Sequence, residues 1–234
     1  MKYLKSAKRL SGDIIEQVYV LIDFSGSMDA RDYSPSRREG AIGANIKLIE
    51  TKAKLHPHDQ VGIIGFSGRA YLLHDHVPVG RWAKSLCQCM EKDVGGGSTN
   101  FTAALKLAEK HLHENQREDQ TLIGLSKYFM DLLLEEDSEK QSHSNKKVNK
   151  RIIMLTDGKH NGFFSPVKVA NRLKDSGVTI ECVGIAGTPK SVDERMLKQI
   201  ASVNETGSPR YCFIRDTSEL IRKYASMAHH IRPV

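Results

Sequence analysis

A carboxylate and two hydroxyls at alternate positions, Asp23, Ser25 and Ser27, stand where the apolar run Val18-Tyr19-Val20-Leu21-Ile22 ends. Hard oxygen donors on so short a loop suit a small divalent cation such as Mg2+. Gly26 lies between the serines and lets the backbone turn sharply there. The apolar run reads as a strand covered on both faces. Open α/β sheets place their ligands at the carboxyl ends of such strands. Two further stretches have matching chemistry. Gly95-Gly96-Gly97-Ser98-Thr99-Asn100 is a glycine loop bearing hydroxyls. Thr156-Asp157-Gly158 follows a second apolar run, Ile152-Ile153-Met154-Leu155. If the two runs are neighbouring strands, Asp23 and Asp157 end side by side at one rim. Adjacent carboxylates repel unless a cation separates them. The pair therefore argues for a metal independently of the first loop.

Alternating strand-like and helix-like stretches must position these loops. After a strand over Val18–Asp23, Ser36-Arg37-Arg38-Glu39 has the spacing of a capping box. It predicts a helix through Ala41, Ile42, Ile46, Leu48 and Ile49 to about Leu55. Gln60–Phe66 reads as a second buried strand, Ala70–Leu73 as a short edge strand, and Trp82–Met90 as a helix. A helix from Phe101 to about Leu112 follows the glycine loop. Leu122, Leu125, Phe129, Leu132 and Leu133 fall in steps of three and four, which makes a buried helical stripe. Glu135–Arg151 has Val148 as its one apolar residue and reads as a mobile insertion loop. Pro166 opens a helix that Gly177 stops. Val178–Ile185 is the next strand and Val192–Val203 reads as helical. Tyr211–Ile214 is the last strand and Thr217–Ile231 the last helix.

The expected fold is α/β: a doubly wound, Rossmann-like sheet of six strands with helices on both faces. Its strands are mostly parallel, with one short antiparallel edge strand. Residues 1–17 are expected to be an N-terminal extension. Residues 18–234 are expected to form the domain, with a helical and polar insertion at about 114–150.

The three loops, in this order, resemble the metal-ion-dependent adhesion site of the von Willebrand factor type A domain, and the chain resembles the bacterial stand-alone type. The likeness runs from about Val18 to the final helix. It implies Asp23, Ser25, Ser27, Thr99 and Asp157 as metal ligands, with Thr102 as a nearby alternative to Thr99. It implies Mg2+, with Mn2+ or Ca2+ also suitable, and a Glu or Asp of a partner protein as the sixth ligand. The function so implied is a metal-dependent protein-protein interaction module, an adaptor rather than an enzyme, in an intracellular complex. Such proteins work beside AAA+ ATPases, kinases or phosphatases, or in stress or defence systems. The stretch Met28–Pro35 is long for the pattern and would form a lip, with Asp29 or Asp32 near the metal.

Bulk properties narrow the alternatives. A chain of 234 residues, 39% apolar and 27% charged, suits one soluble globular domain. It has no apolar run of about 18 residues, so no membrane span is expected. Met1–Gln17 lacks the apolar core of a signal peptide, which favours the cytoplasm. A net charge of +7 admits a second reading. Here the protein is a nucleic-acid-associated component of a bacterial stress or defence system, with Lys146, Lys147, Lys150 and Arg151 on phosphates. His74-Asp75-His76 is a candidate ligand cluster, and Lys159 and His160 are candidate partner contacts at the rim. Cys87 and Cys89 point to different sides of a helix and read as ordinary thiols. The glycine loop lacks the lysine of a phosphate-binding loop, and Ser25 lacks a nucleophile elbow. Ser25 also stands where phosphoryl-transferring hydrolases of the haloacid dehalogenase type carry an acid.

Overall fold

The computed structural model describes residues 14–91, 95–113 and 147–231. Its strands are β1 (Ile14–Asp23), β2 (Gln60–Phe66), β3 (Ala70–Pro78), β4 (Lys147–Thr156), β5 (Val178–Ile185) and β6 (Tyr211–Ile214). They form one sheet in the order β3-β2-β1-β4-β5-β6. The edge strand β3 is antiparallel to β2, and the other pairings are parallel. The helices are α1 (Arg37–Leu55), α2 (Val79–Cys89), α3 (over 101–113), α4 (Pro166–Asp175), α5 (Glu194–Ile200) and α6 (Thr217–Met227). The expected doubly wound sheet is thus the one observed. β1 and β4 are neighbours, with Ile22 beside Leu155, so the first and third loops open at the same rim.

Alternation along β1 sorts its side chains into two cores. Val18, Val20 and Ile22 pack with α1, α2 and α6. Tyr19 and Leu21 pack with α3, α4 and α5. Each fully buried Leu or Ile there contributes about 2 kcal/mol. Gly62 leaves the space that the Tyr19 ring fills; a Cβ there would lie 2.3 Å from it.

Several boundaries differ from the sequence reading. β1 begins at Ile14, so residues 14–17 belong to the sheet and not to an extension. Glu16 and Gln17 interrupt the apolar run, yet both are buried. Glu16 is neutralised by Lys52 Nζ at 2.7 Å and Arg151 Nη1 at 3.4 Å. β4 likewise begins at Lys147, inside the stretch read as a loop. Its polar residues Asn149, Lys150 and Arg151 pair with β1, and Arg151 also binds Glu181. β3 continues to Pro78. The helix read over 192–203 shortens to Glu194–Ile200, after a 3-10 turn over Pro189–Ser191, and the last helix ends at Met227. The helical stripe over 122–133 lies outside the described residues. Among those described, no helix is long and apolar enough to cross a membrane.

Candidate metal centre

β1 delivers Asp23 to the rim fully buried. Its Oδ1 accepts the Ser25 N–H at 2.8 Å, and its Oδ2 accepts the Thr156 hydroxyl at 2.5 Å. One oxygen is thus fixed by its own loop and the other by the end of β4. The Ser25 and Ser27 hydroxyls lie 3.1 Å apart, and Ser27 Oγ donates to Asp157 Oδ1 at 2.7 Å. The glycine loop is tied to the first loop, because Gly26 N–H donates to the Gly96 carbonyl at 3.0 Å. Thr99 is clamped by Asn161, whose Oδ1 accepts the Thr99 N–H at 2.7 Å and whose N–H returns to the Thr99 carbonyl at 3.0 Å. Thr99 Oγ1 sits against Gly158, where a Cβ would approach to 2.9 Å. The alternative hydroxyl, Thr102, donates to the Phe164 carbonyl at 2.5 Å.

The electrostatics call for positive charge. Burial pushes the Asp23 pKa up to about 6, against hydrogen bonds from Thr156 and Ser25; the Asp157 charge adds a smaller push. Burial also raises Asp157, against hydrogen bonds from Arg37 and Ser27. Arg37, the first residue of α1, is 7% exposed. Its Nη1 donates to Asp157 Oδ2 at 2.7 Å. Its Nε and Nη2 donate to Asp32 at 2.7 and 2.5 Å, which holds the Asp32 carboxyl below its ordinary range. Of the two lip acids, Asp32 therefore reaches the site through Arg37, while Asp29 pairs with Arg38 at 2.9 Å.

Sequence reasoning missed Arg37, reading Ser36–Glu39 only as a cap. That cap does form, with the Glu39 N–H on Ser36 Oγ at 3.1 Å. A signal was present, because a cation in the first helical turn opposes the helix dipole and needs carboxylate partners. Thr156 and Asn161 were also missed. The donor set fits a divalent cation: three hydroxyls and two buried carboxylates, of which the guanidinium reaches Asp157 and not Asp23.

Other candidates resolve into structural roles. His160 Nδ1 accepts the Phe101 N–H at 3.2 Å, and its Nε2 lies 2.9 Å from the Phe164 carbonyl. One neutral tautomer satisfies both contacts, so His160 braces the loop rather than facing a partner. Lys159 is exposed. The His76 ring packs tilted against Tyr19, and Asp75 accepts the Tyr19 hydroxyl at 2.6 Å. His74 Nε2 lies 3.1 Å from Ser85 Oγ, so the triplet braces the sheet edge. Cys87 and Cys89 are free thiols. Two members of the proposed phosphate-binding cluster are engaged within the fold. Arg151 is 2% exposed within its ion pairs, and Lys150 Nζ donates to the Leu112 carbonyl at 3.1 Å. Lys146 and the Lys147 side chain lie outside what is described. After Asp157 the loop carries two aromatics on its surface, Phe163 at 102% exposure and Phe164 at 71%.

Residues 18–160 match the family model of the von Willebrand factor type A domain. A 26S proteasome non-ATPase regulatory subunit 4 homolog of Oryza sativa subsp. japonica is 27% identical over 198 residues, covering 83% of this chain and 41% of that protein. This chain therefore spans less than half the length of that relative. Two solved structures share the fold. A von Willebrand factor type A protein from Catenulispora acidiphila has a TM-score of 0.63 at 18% identity, covering 92% of this chain and 42% of that one. Proximal thread matrix protein 1 of the mussel byssus, with a zinc-occupied MIDAS motif, has a TM-score of 0.62 at 20% identity, covering 92% and 48%.

Proposed function

Because the chain belongs to the von Willebrand factor type A domain family, we propose that it is a metal-dependent protein-interaction module. In this reading Asp23, Ser25, Ser27, Thr99 and Asp157 hold Mg2+, and an acidic side chain of a partner protein docks there. The reading rests on one observation above others: Ser27 Oγ meets Asp157 Oδ1 at 2.7 Å across the β1–β4 boundary. That contact brings donors 130 residues apart in sequence to one point. Three of the five donors are neutral hydroxyls, so a bound dication keeps much of its charge for an incoming carboxylate. Asp23 and Asp157 balance that charge, Thr156 and Ser25 fix Asp23, and Arg37 fixes Asp157. Phe163 and Phe164, exposed on the chain after Asp157, would give a partner apolar contact in addition to its acidic anchor.

The reading is of docking, not catalysis. Ser25 Oγ lies 3.1 Å from Ser27 Oγ and also hydrogen-bonds the Asp23 carboxylate; in this reading the cation takes both groups, so neither is left to act as nucleophile or base. The rice relative's name, a regulatory subunit of a proteasome, supports a partner inside a multi-protein assembly. A cytoplasmic AAA+ ATPase, kinase or phosphatase is the partner class to test first.

The test is capture of partner proteins from extract by the purified chain, in Mg2+ and in EDTA, beside Asp23→Ala. Circular dichroism checks that the variant is folded. Partner retained in Mg2+ and lost in both other cases supports the reading. Equal retention in all three sinks it.

A further inference from the structure

The opposite end of the sheet carries a second convergence of ligand types. His56 ends α1, Asp59 lies in the turn before β2, and His230 follows α6. One donor atom from each lies within 4.8 Å of the others. His230 Nε2 is 3.0 and 2.8 Å from the two Asp59 oxygens. The His56 and His230 rings stack with centroids 3.8 Å apart. We propose that His56, Asp59 and His230 form a second cation site, a two-histidine, one-carboxylate set for Zn2+ with an open position for water.

The donor types and their mounting carry this. Imidazole nitrogen and carboxylate oxygen are the ligands that Zn2+ takes, and they differ from the hydroxyl-rich set at the rim. Asp59 is 2% exposed and rigidly held. Its Oδ1 accepts the Glu16 N–H at 3.0 Å, and its Oδ2 meets Lys52 Nζ at 2.6 Å. Such outer contacts orient a ligating carboxylate, and each oxygen keeps a second lone pair. Lys52 does not depend on Asp59 alone, because Glu16 lies 2.7 Å from it on the other side. Both histidines are partly exposed. That leaves the ion a path inward and the rings room to splay from their stack onto one centre. Without metal, the His230–Asp59 bond pins the C-terminal stretch to the end of α1; Zn2+ would replace that bond with two stronger ones and tie the same three segments together.

This site stands apart from the docking site, and either can fail without the other. The experiment is Zn2+ titration calorimetry on the full chain with any affinity tag removed, for the parent, His56→Gln and His230→Gln. Each substitution is expected to weaken one Zn2+ equivalent by at least about tenfold. Any equivalent entering the rim should be unchanged. Zinc X-ray absorption on the parent gives a second readout that needs no variant. Two imidazole nitrogens around the tighter zinc support the site, and oxygen ligands alone overturn it. Zinc affinity unaltered in both histidine variants, or no binding by the parent, also overturns it.

Discussion

Arg37→Met asks whether positive charge is what the rim lacks. Methionine keeps apolar bulk at the position and removes every polar contact of the guanidinium. The two carboxylates it would abandon are not equivalent. The Asp32 side chain is 41% exposed, so water screens it, and losing that arm costs about 1 kcal/mol or less. The Asp157 side chain is 0% exposed, and leaving a buried carboxylate unpaired costs about 3 kcal/mol. At about 2–4 °C per kcal/mol for a domain of this size, the metal-free variant should melt about 6–12 °C lower. Mg2+ should then recover more stability in the variant than in the parent. The guanidinium no longer competes for Asp157, so the ion binds more tightly, and stabilisation grows as RT ln(1 + [L]/Kd). The assay is thermal unfolding followed by circular dichroism, in EDTA and across a Mg2+ series. A variant that melts within about 2 °C of the parent in EDTA refutes the charge argument. So does a variant that gains no more from Mg2+ than the parent does.

Three further outcomes follow from the same coordinates. Gly158→Ala places a Cβ 2.9 Å from Thr99 Oγ1, so Mg2+ affinity should drop several-fold in calorimetry while the fold persists; unchanged affinity would remove Thr99 from the ligand set. Phe163→Ala, at a position with 102% exposure, should leave the melting temperature within about 1 °C. It should also weaken partner capture by tenfold or more, and full capture would exclude the aromatic pair from the interface. His76 is held down to about 4 by burial, against an ordinary 6.5. The unfolded chain therefore binds a proton that the folded ring refuses, and this residue's contribution to stability rises with pH between about 4 and 6.5. Denaturant melts of the parent and His76→Gln should show the parent's relative stability climbing through that window, and a flat difference would contradict the assignment.

The rim was legible in the sequence because its chemistry is local. Asp23, Ser25 and Ser27 share one turn, and Asp157 directly follows an apolar strand. Sheet order then brings the two ends together. Residues whose meaning comes only from a distant partner were not legible. Glu16 and Arg151 break the hydropathy of their strands, yet they are buried because Glu16 pairs with both Arg151 and Lys52, and Arg151 also with Glu181. That pairing hid the first four residues of β1 and the start of β4. Arg37 was hidden in the same way, since its partners Asp32 and Asp157 lie 5 and 120 residues away. His160 erred in the other direction. Its position beside Asp157 suggested an outward role, but the backbone of α3 and the Phe164 carbonyl claim both of its nitrogens.

The two ends of β1 hold their buried acids differently. Each presents a buried acid, Glu16 at one end and Asp23 at the other. Buried charge is tolerated when it is paired. Glu16 meets two cations, Lys52 and Arg151, and needs nothing more. Asp23 is held by Ser25 and Thr156, which supply hydrogen bonds but no charge, and its pKa rises to about 6. Arg37 reaches Asp157 but makes no bond to Asp23. Around the rim, then, two buried carboxylates face one guanidinium, and that guanidinium is shared with a third, exposed acid. With the exposed Asp32 screened by water, a dication turns the deficit of the two buried carboxylates against Arg37 into a slight excess, and an incoming carboxylate removes it. A partner's acid would meet repulsion from Asp23 and Asp157 in the metal-free protein and attraction in the loaded one. In the proposed reading, this charge inventory is what would make docking conditional on the ion.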